Sequence, residues 1–348
     1  MFGHRRSTEP DNALPLRLLY VMGVGRSGST VLDTILGNHP EMESLGELYH
    51  SANQQWVATQ YCACGSLVPQ CPFWSQVWPR WVDAVGAEGA AEFQSLARRF
   101  ELGRIWNPLV FRPGTARSPA FQQYARTSAA MLDAIRQVCG KPILVDSSKN
   151  AYRAAALART PGIDLRAVHL VRDVRGVAWS MRKRLPSNGK DGLTGPSKPC
   201  RVWRAALGWI AANLRCEAVA RQLPGGNSIC MRYEDFVVDP ARELARIGDL
   251  VGADMEQVID GVASGSEMAI GHTIAGNRLR LAGSVRLKPD VEWIDKMSPR
   301  DRWICWLLAG PMLRRYGYRR KPDRPTSGTV VRPPERRLGA VQSVCSTT

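Results

Sequence analysis

Gly23 and Gly28 stand five residues apart in Tyr20-Val21-Met22-Gly23-Val24-Gly25-Arg26-Ser27-Gly28-Ser29-Thr30. This is the spacing of a turn that carries a strand into a helix around a bound anion, with backbone N–H groups and the positive helix end aimed at the charge. The position that carries lysine in nucleoside triphosphatases is Ser29. That lysine neutralises the outer phosphates during transfer, so triphosphate hydrolysis is poorly served here. A shorter anionic chain, such as a 5′-phosphosulfate, suits the loop, and Arg26 can supply charge. Other polar groups stand at the ends of apolar runs. Arg172 follows Ala167–Val171, Lys149 follows Ile143-Leu144-Val145-Asp146-Ser147-Ser148, and Tyr233 closes Ser228–Tyr233. Arg172 offers a planar fork suited to phosphate oxygens. Ser180 and Arg184 are four apart and share one helix face. Asp146 also invites a magnesium reading, which the missing lysine disfavours.

The elements that must position these groups follow from patterning. Leu18–Val24, Ile143–Asp146, Ala167–Val171 and Ser228–Tyr233 are continuous apolar runs, as expected of strands buried on both faces. Helices are predicted over Ser29–Leu36, Ala151–Arg159, Val174–Arg184 and Trp203–Leu223, each stopped by Gly, Asn or Pro. Alternating strands and helices predict an α/β fold, a P-loop-type parallel sheet flanked by helices. About residues 48–140 form a long insertion after the first strand–helix unit, expected to build the acceptor side of the cleft. Lys190–Pro199 reads as a mobile loop. A polar arm at 1–16 and a basic tail at 319–348, expected to be disordered, flank a domain at 17–318.

Lys plus Arg is 47 and Asp plus Glu is 31, a formal +16, which suits an anionic partner. The longest apolar run, Trp303–Leu313, has 11 residues. A membrane span needs about 20, so none is expected. Met1–Pro15 is polar and shows no secretory leader pattern. The nine cysteines are mostly scattered, and the expectation is reduced thiols in a cytoplasmic protein. Cys62, Cys64 and Cys71 are clustered. Three states stay open for them: free thiols, a local disulfide, or a zinc site with a fourth ligand such as His50.

Gly25-Arg26-Ser27-Gly28-Ser29-Thr30 resembles the 5′-phosphosulfate loop of sulfotransferases that use 3′-phosphoadenosine 5′-phosphosulfate (PAPS). Val171–Ser180 is similar to that family's 3′-phosphate motif, and Met231–Phe236 to its adenine-side strand end. The resemblance runs over about residues 17–318. It is nearest the bacterial branch related to tyrosylprotein and carbohydrate sulfotransferases. It implies sulfuryl transfer from PAPS to a hydroxyl of a small metabolite, lipid or sugar, with no metal required and no nucleic acid partner. It also implies that Gly25, Arg26, Ser27, Gly28, Ser29, Thr30, Arg172, Ser180, Arg184 and Tyr233 bind the cofactor. Arg278 and Lys288 join them from a late basic segment that closes over the 3′-phosphate, although the Arg-Lys-Gly triplet of cytosolic members is absent.

Transfer needs a base, charge stabilisation and an aligned acceptor. The resemblance places the base at Glu47, with a pKa expected to be raised by nearby anions. His50 and His272 are weaker alternatives, and His169 is expected to pack inside a strand. Lys149 and Arg26 are the candidates for stabilising charge. Two other readings remain: a P-loop kinase, and a non-catalytic nucleic-acid-binding protein using the +16 charge.

Overall fold

The computed structural model describes residues 15–102, 112, 114–183 and 199–322. Arg184, most of the Lys190–Pro199 loop and the tail after 322 lie outside the described residues. In chain order the main elements are β1 (Leu16–Gly23), α1 (Ser29–Gly37), β2 (Met42–Ser44), α2 (Trp74–Glu101), α3 (Pro119–Cys139), β3 (Ile143–Lys149), α4 (Ala151–Leu157), β4 (Ile163–Val171), α5 (Val174–Arg182), α6 (Val202–Ala220), β5 (Ser228–Arg232), α7 (Pro240–Val251), β6 (Met268–Ala269), β7 (Ser284–Val285) and α8 (Pro299–Arg315). Helix α2 is broken at Gly86, where the backbone leaves helical geometry.

Five strands form one parallel sheet in the order β2-β3-β1-β4-β5, and β6 and β7 make a small antiparallel pair. The alternating faces of β1 show why it sits at the centre. Leu18, Tyr20 and Met22 enter one core with α2, α3 and α4, while Leu19 and Val21 enter the other with α1 and α7. Both faces exclude water, so the strand is apolar throughout rather than alternating. The α/β parallel-sheet expectation holds. The strand missed in the sequence is β2, only three residues long and at the sheet edge.

The insertion folds mainly as the α2–α3 hairpin, packed through Trp81, Phe93, Phe100, Phe121 and Tyr124. Its attachment to the sheet is ionic. Arg153 on α4 reaches Glu101 at the end of α2 (2.6 Å) and Asp146 on β3 (3.0 Å), and Tyr124 donates to Glu101 (2.6 Å). All four side chains are buried. Both Asp146 oxygens are engaged, one by Arg153 and the other by the Ser148 N–H and hydroxyl. At the other end of the domain, Arg175 donates to the carbonyls of Arg319 and Arg320, so the chain is tied down as far as Arg320.

Leaving one partner of a buried ion network uncompensated typically costs about 3–5 kcal/mol. Arg153→Ala is therefore expected to lose about that much stability in urea unfolding. A loss below about 1 kcal/mol would show that the network does not hold the insertion to the sheet.

Candidate active site

The turn after β1 wraps the start of α1 as the glycine spacing requires. Gly28 caps the helix in the left-handed region (φ 92°). A Cβ there would lie 2.4 Å from the Tyr233 ring, so Gly28 admits Tyr233, the residue after β5, against the loop. The first-turn N–H groups that a helix leaves unpaired therefore open at the carboxyl end of the sheet. A cavity of about 700 Å³ occupies this position. Gly25, Arg26, Gly28, Ser29, Thr30, Glu47, Lys149, Arg172, Ser180, Tyr233, Arg278 and Lys288 all line it. Ser27 does not: its side chain is buried, its hydroxyl lacks a partner, and its N–H bonds the Val24 carbonyl. A smaller cavity of about 290 Å³ shares Lys149 and includes Glu101 and Leu102 of the insertion.

Glu47 and Lys149 form the centre of the large cavity. The Lys149 ammonium lies 2.5 Å from Glu47 Oε1, and His50 Nε2 lies 3.6 Å from Oε2. The expected rise in the Glu47 pKa does not occur in this arrangement. Burial pushes it up, but the His50 and Lys149 contacts outweigh burial and hold it at about 2. His50 therefore serves Glu47 and not the cysteines; the imidazole beside Cys62 and Cys71 is His272. The segment after His272 passes over the pair. Gly276 is left-handed (φ 95°), and a Cβ there would stand 3.4 Å from Glu47 Oε1. The Asn277 N–H meets the Thr30 hydroxyl at 3.4 Å.

Arg172 occupies the opposite wall. It donates to the Arg26 carbonyl (3.0 Å), pairs with Asp290 (2.8 Å) and lies 4.7 Å over the Tyr233 ring. Its Nε is buried without a hydrogen-bond partner. Burial disfavours its charge, but Asp290 more than restores it and raises the pKa. The Tyr233 hydroxyl donates to the Lys288 carbonyl (3.2 Å), which anchors the late basic segment to β5. Arg280 of that segment is buried and donates to the Tyr61 carbonyl (2.9 Å). His169 packs in β4 against Asn213 (2.9 Å), and burial lowers its pKa.

Sequence reasoning missed Asp290. That residue stands in the same late basic segment as Arg286 and Lys288, but no motif marks it. Sequence reasoning also missed His272 as the cysteines' neighbour because 201 residues separate it from Cys71.

Comparison with known proteins identifies the family. Residues 19–257 match the profile of the sulfotransferase family. Human carbohydrate sulfotransferase 2 is 26% identical, over 72% of this chain and 56% of its own length; the mouse protein is 25% identical with the same coverage. The chain thus spans about half the length of these curated relatives. Among solved structures, the sulfotransferase domain of the Synechococcus PCC 7002 olefin synthase is 18% identical, covering 88% of this chain and 98% of that one (TM-score 0.45). The sulfotransferase domain from the curacin biosynthetic pathway is 14% identical, covering 86% and 98% (TM-score 0.47).

The depressed Glu47 pKa has a stability consequence with a definite sign. A carboxyl held at about 2 instead of 4.5 stabilises the fold above the higher value, and that contribution fades as pH falls towards 2. Wild type should exceed Glu47→Gln in unfolding free energy at neutral pH, by a margin that shrinks in acid. Urea titrations of both proteins across that range check this. A margin independent of pH would contradict the ion pair.

Proposed function

The chain belongs to the sulfotransferase family, and from that premise we propose that it transfers a sulfuryl group from PAPS to a hydroxyl of a small metabolite, lipid or sugar. The observation that carries the reading is the gathering of the anion loop, Arg172 with Ser180, and the Glu47–Lys149 pair in one cavity. Its volume suits a nucleotide-sized ligand. Six cationic and three anionic side chains line it, a balance suited to a polyanion. The unpartnered Arg172 Nε is a donor waiting for an acceptor. When bound, PAPS supplies the sulfuryl group and carries away the leaving phosphate.

The roles of the residues follow from charge. The α1 end, Arg26 and Ser29–Thr30 hold the 5′ side, while Arg172, Ser180, Arg278 and Lys288 hold the 3′-phosphate and Tyr233 faces the adenine. Lys149 stands between Glu47 and the donor. When it turns to the donor anion, Glu47 loses one of the two partners that depress its pKa and becomes a stronger base. Glu47 then takes the acceptor's proton. The smaller cavity, with its wall from the insertion, is our candidate for the acceptor entrance. The likeness to human carbohydrate sulfotransferase 2 favours a sugar within the acceptor class. The kinase alternative is weakened because Asp146, which would serve magnesium, is fully engaged by Arg153 and Ser148. The cysteine thiols favour a reducing compartment, and we assign the cytoplasm.

Calorimetry with 3′-phosphoadenosine 5′-phosphate (PAP) and AMP tests the donor. PAP should bind far more tightly than AMP. Arg172→Ala should weaken PAP about ten- to a hundredfold, the value of a charge-assisted contact, and leave AMP nearly unchanged. Equal affinity for the two nucleotides would remove the 3′-phosphate assignment.

Glu47→Gln keeps the shape of the side chain but cannot take a proton. Turnover should fall by about 10²–10⁴ while PAP still binds. If turnover stays above about a tenth of wild type, the base lies elsewhere and His50 is the next residue to test.

A further inference from the structure

Away from the reacting groups, three sulfurs and one imidazole converge. Cys62 and Cys64 lie on the turn between Tyr61 and Leu67, Cys71 lies just before α2, and His272 arrives from the far end of the chain. Cys64 Sγ and Cys71 Sγ are 3.7 Å apart, and His272 Nδ1 is 3.2 Å from Cys71 Sγ and 3.8 Å from Cys62 Sγ. The four ligand atoms all lie within 4.8 Å of one another. With Zn–S about 2.3 Å and Zn–N about 2.0–2.1 Å, tetrahedral zinc sets S–S edges near 3.8 Å and S–N edges near 3.5 Å. The cluster already has about those dimensions.

We propose that Cys62, Cys64, Cys71 and His272 bind a structural zinc ion that fastens the insertion to the segment crossing the cleft. Three thiolates and one imidazole form a soft, closed set of four ligands, which selects zinc and leaves no position for a reacting water. The surroundings fit such a site. The His272 ring stacks on Phe73 (5.5 Å between centroids, 6° between planes), and the Trp74 indole donates to the His272 carbonyl (2.7 Å). The stacking orients the imidazole, and the indole bond holds the backbone that carries it. A disulfide would use two sulfurs and leave the third, with the imidazole, unexplained.

The placement gives the ion a task. From His272 the chain pairs with the β2 exit: the Glu47 N–H donates to the Ile274 carbonyl (2.9 Å) and the Ala63 N–H to the Thr273 carbonyl (3.0 Å). Gly276 and Asn277 then reach Glu47 and Thr30. Fixing His272 fixes where this strap begins. The expectation that no metal is required concerned transfer, and the zinc proposed here takes no part in that chemistry. The proposal does not depend on the proposed activity.

Elemental analysis of the full chain, purified in reducing buffer and dialysed against a weak chelator, should give about one zinc per chain, the closed-site stoichiometry. Protein grown with cobalt should show tetrahedral ligand-field bands and a thiolate charge-transfer band. Cys64 is exposed, so Cys64→Ser should fold; it should retain little metal and unfold at lower temperature, whereas His272→Cys should still bind zinc. Wild type that lacks zinc, shows no cobalt–thiolate band and has all thiols titratable overturns the proposal. So does a peptide map that shows a disulfide between any two of the three cysteines. A full equivalent of zinc in Cys64→Ser would overturn the ligand set.

Discussion

Cations gathered in one cleft repel one another, and here that repulsion is answered from within by carboxylates. Unit charges about 4 Å apart interact by about 1–4 kcal/mol at dielectric constants from water to a protein surface. Arg26 feels this directly: burial lowers its pKa first, and neighbouring Arg278 lowers it further. Glu47 and Asp290 are the internal answer, one on Lys149 and the other on Arg172. Each carboxylate stands where a ligand anion would compete for the same cation. Binding in such a cleft is an exchange of anions, so its affinity falls short of what a count of new ion pairs suggests.

The same constraint explains why distant parts of the chain converge. A cleft at the carboxyl ends of parallel strands has a floor made by the sheet but no walls of its own. One wall, that of the adjoining smaller cavity, comes from the insertion through Glu101 and Leu102, held by the buried Arg153 network. Another comes from the late basic segment, held by the Tyr233 hydroxyl and by Arg280 on Tyr61. Both attachments join residues far apart in sequence to the strand ends or to the insertion. Arg278, Arg286 and Lys288 of the late segment can face Arg26, Lys149 and Arg172 because that segment is anchored elsewhere.

That division also sets what was legible in the sequence. Strands β1, β3 and β4 could be read because their apolar runs are buried on both faces; β5, a mostly half-buried edge strand, could be read from its apolar residues Ile229–Met231 alone. Strand β2 is short and contains Glu43, so it leaves no such run. The anion loop was legible because strand, glycine spacing and helix are contiguous. The Glu47 environment was not: its neighbours His50 and Lys149 enter from different elements, and their distances decide the sign of its pKa. Asp290 and His272 were hidden for the same reason, since no local pattern marks a residue whose partner is more than a hundred positions away.

Backbone strain points to the same place. Among the described residues, Arg26, Lys149 and Ala275 are those other than glycine that adopt positive φ, at 72°, 66° and 57°. Such conformations cost of order 1–3 kcal/mol each and persist where the surroundings leave no alternative. Two of the three carry cations that line the cleft, and Ala275 is the residue before Gly276 in the strap. Arg26 and Lys149 both line the cleft from these strained positions. Holding them in the left-handed region keeps both on the cleft, and the buried sheet and the anchored walls supply the stability that this requires.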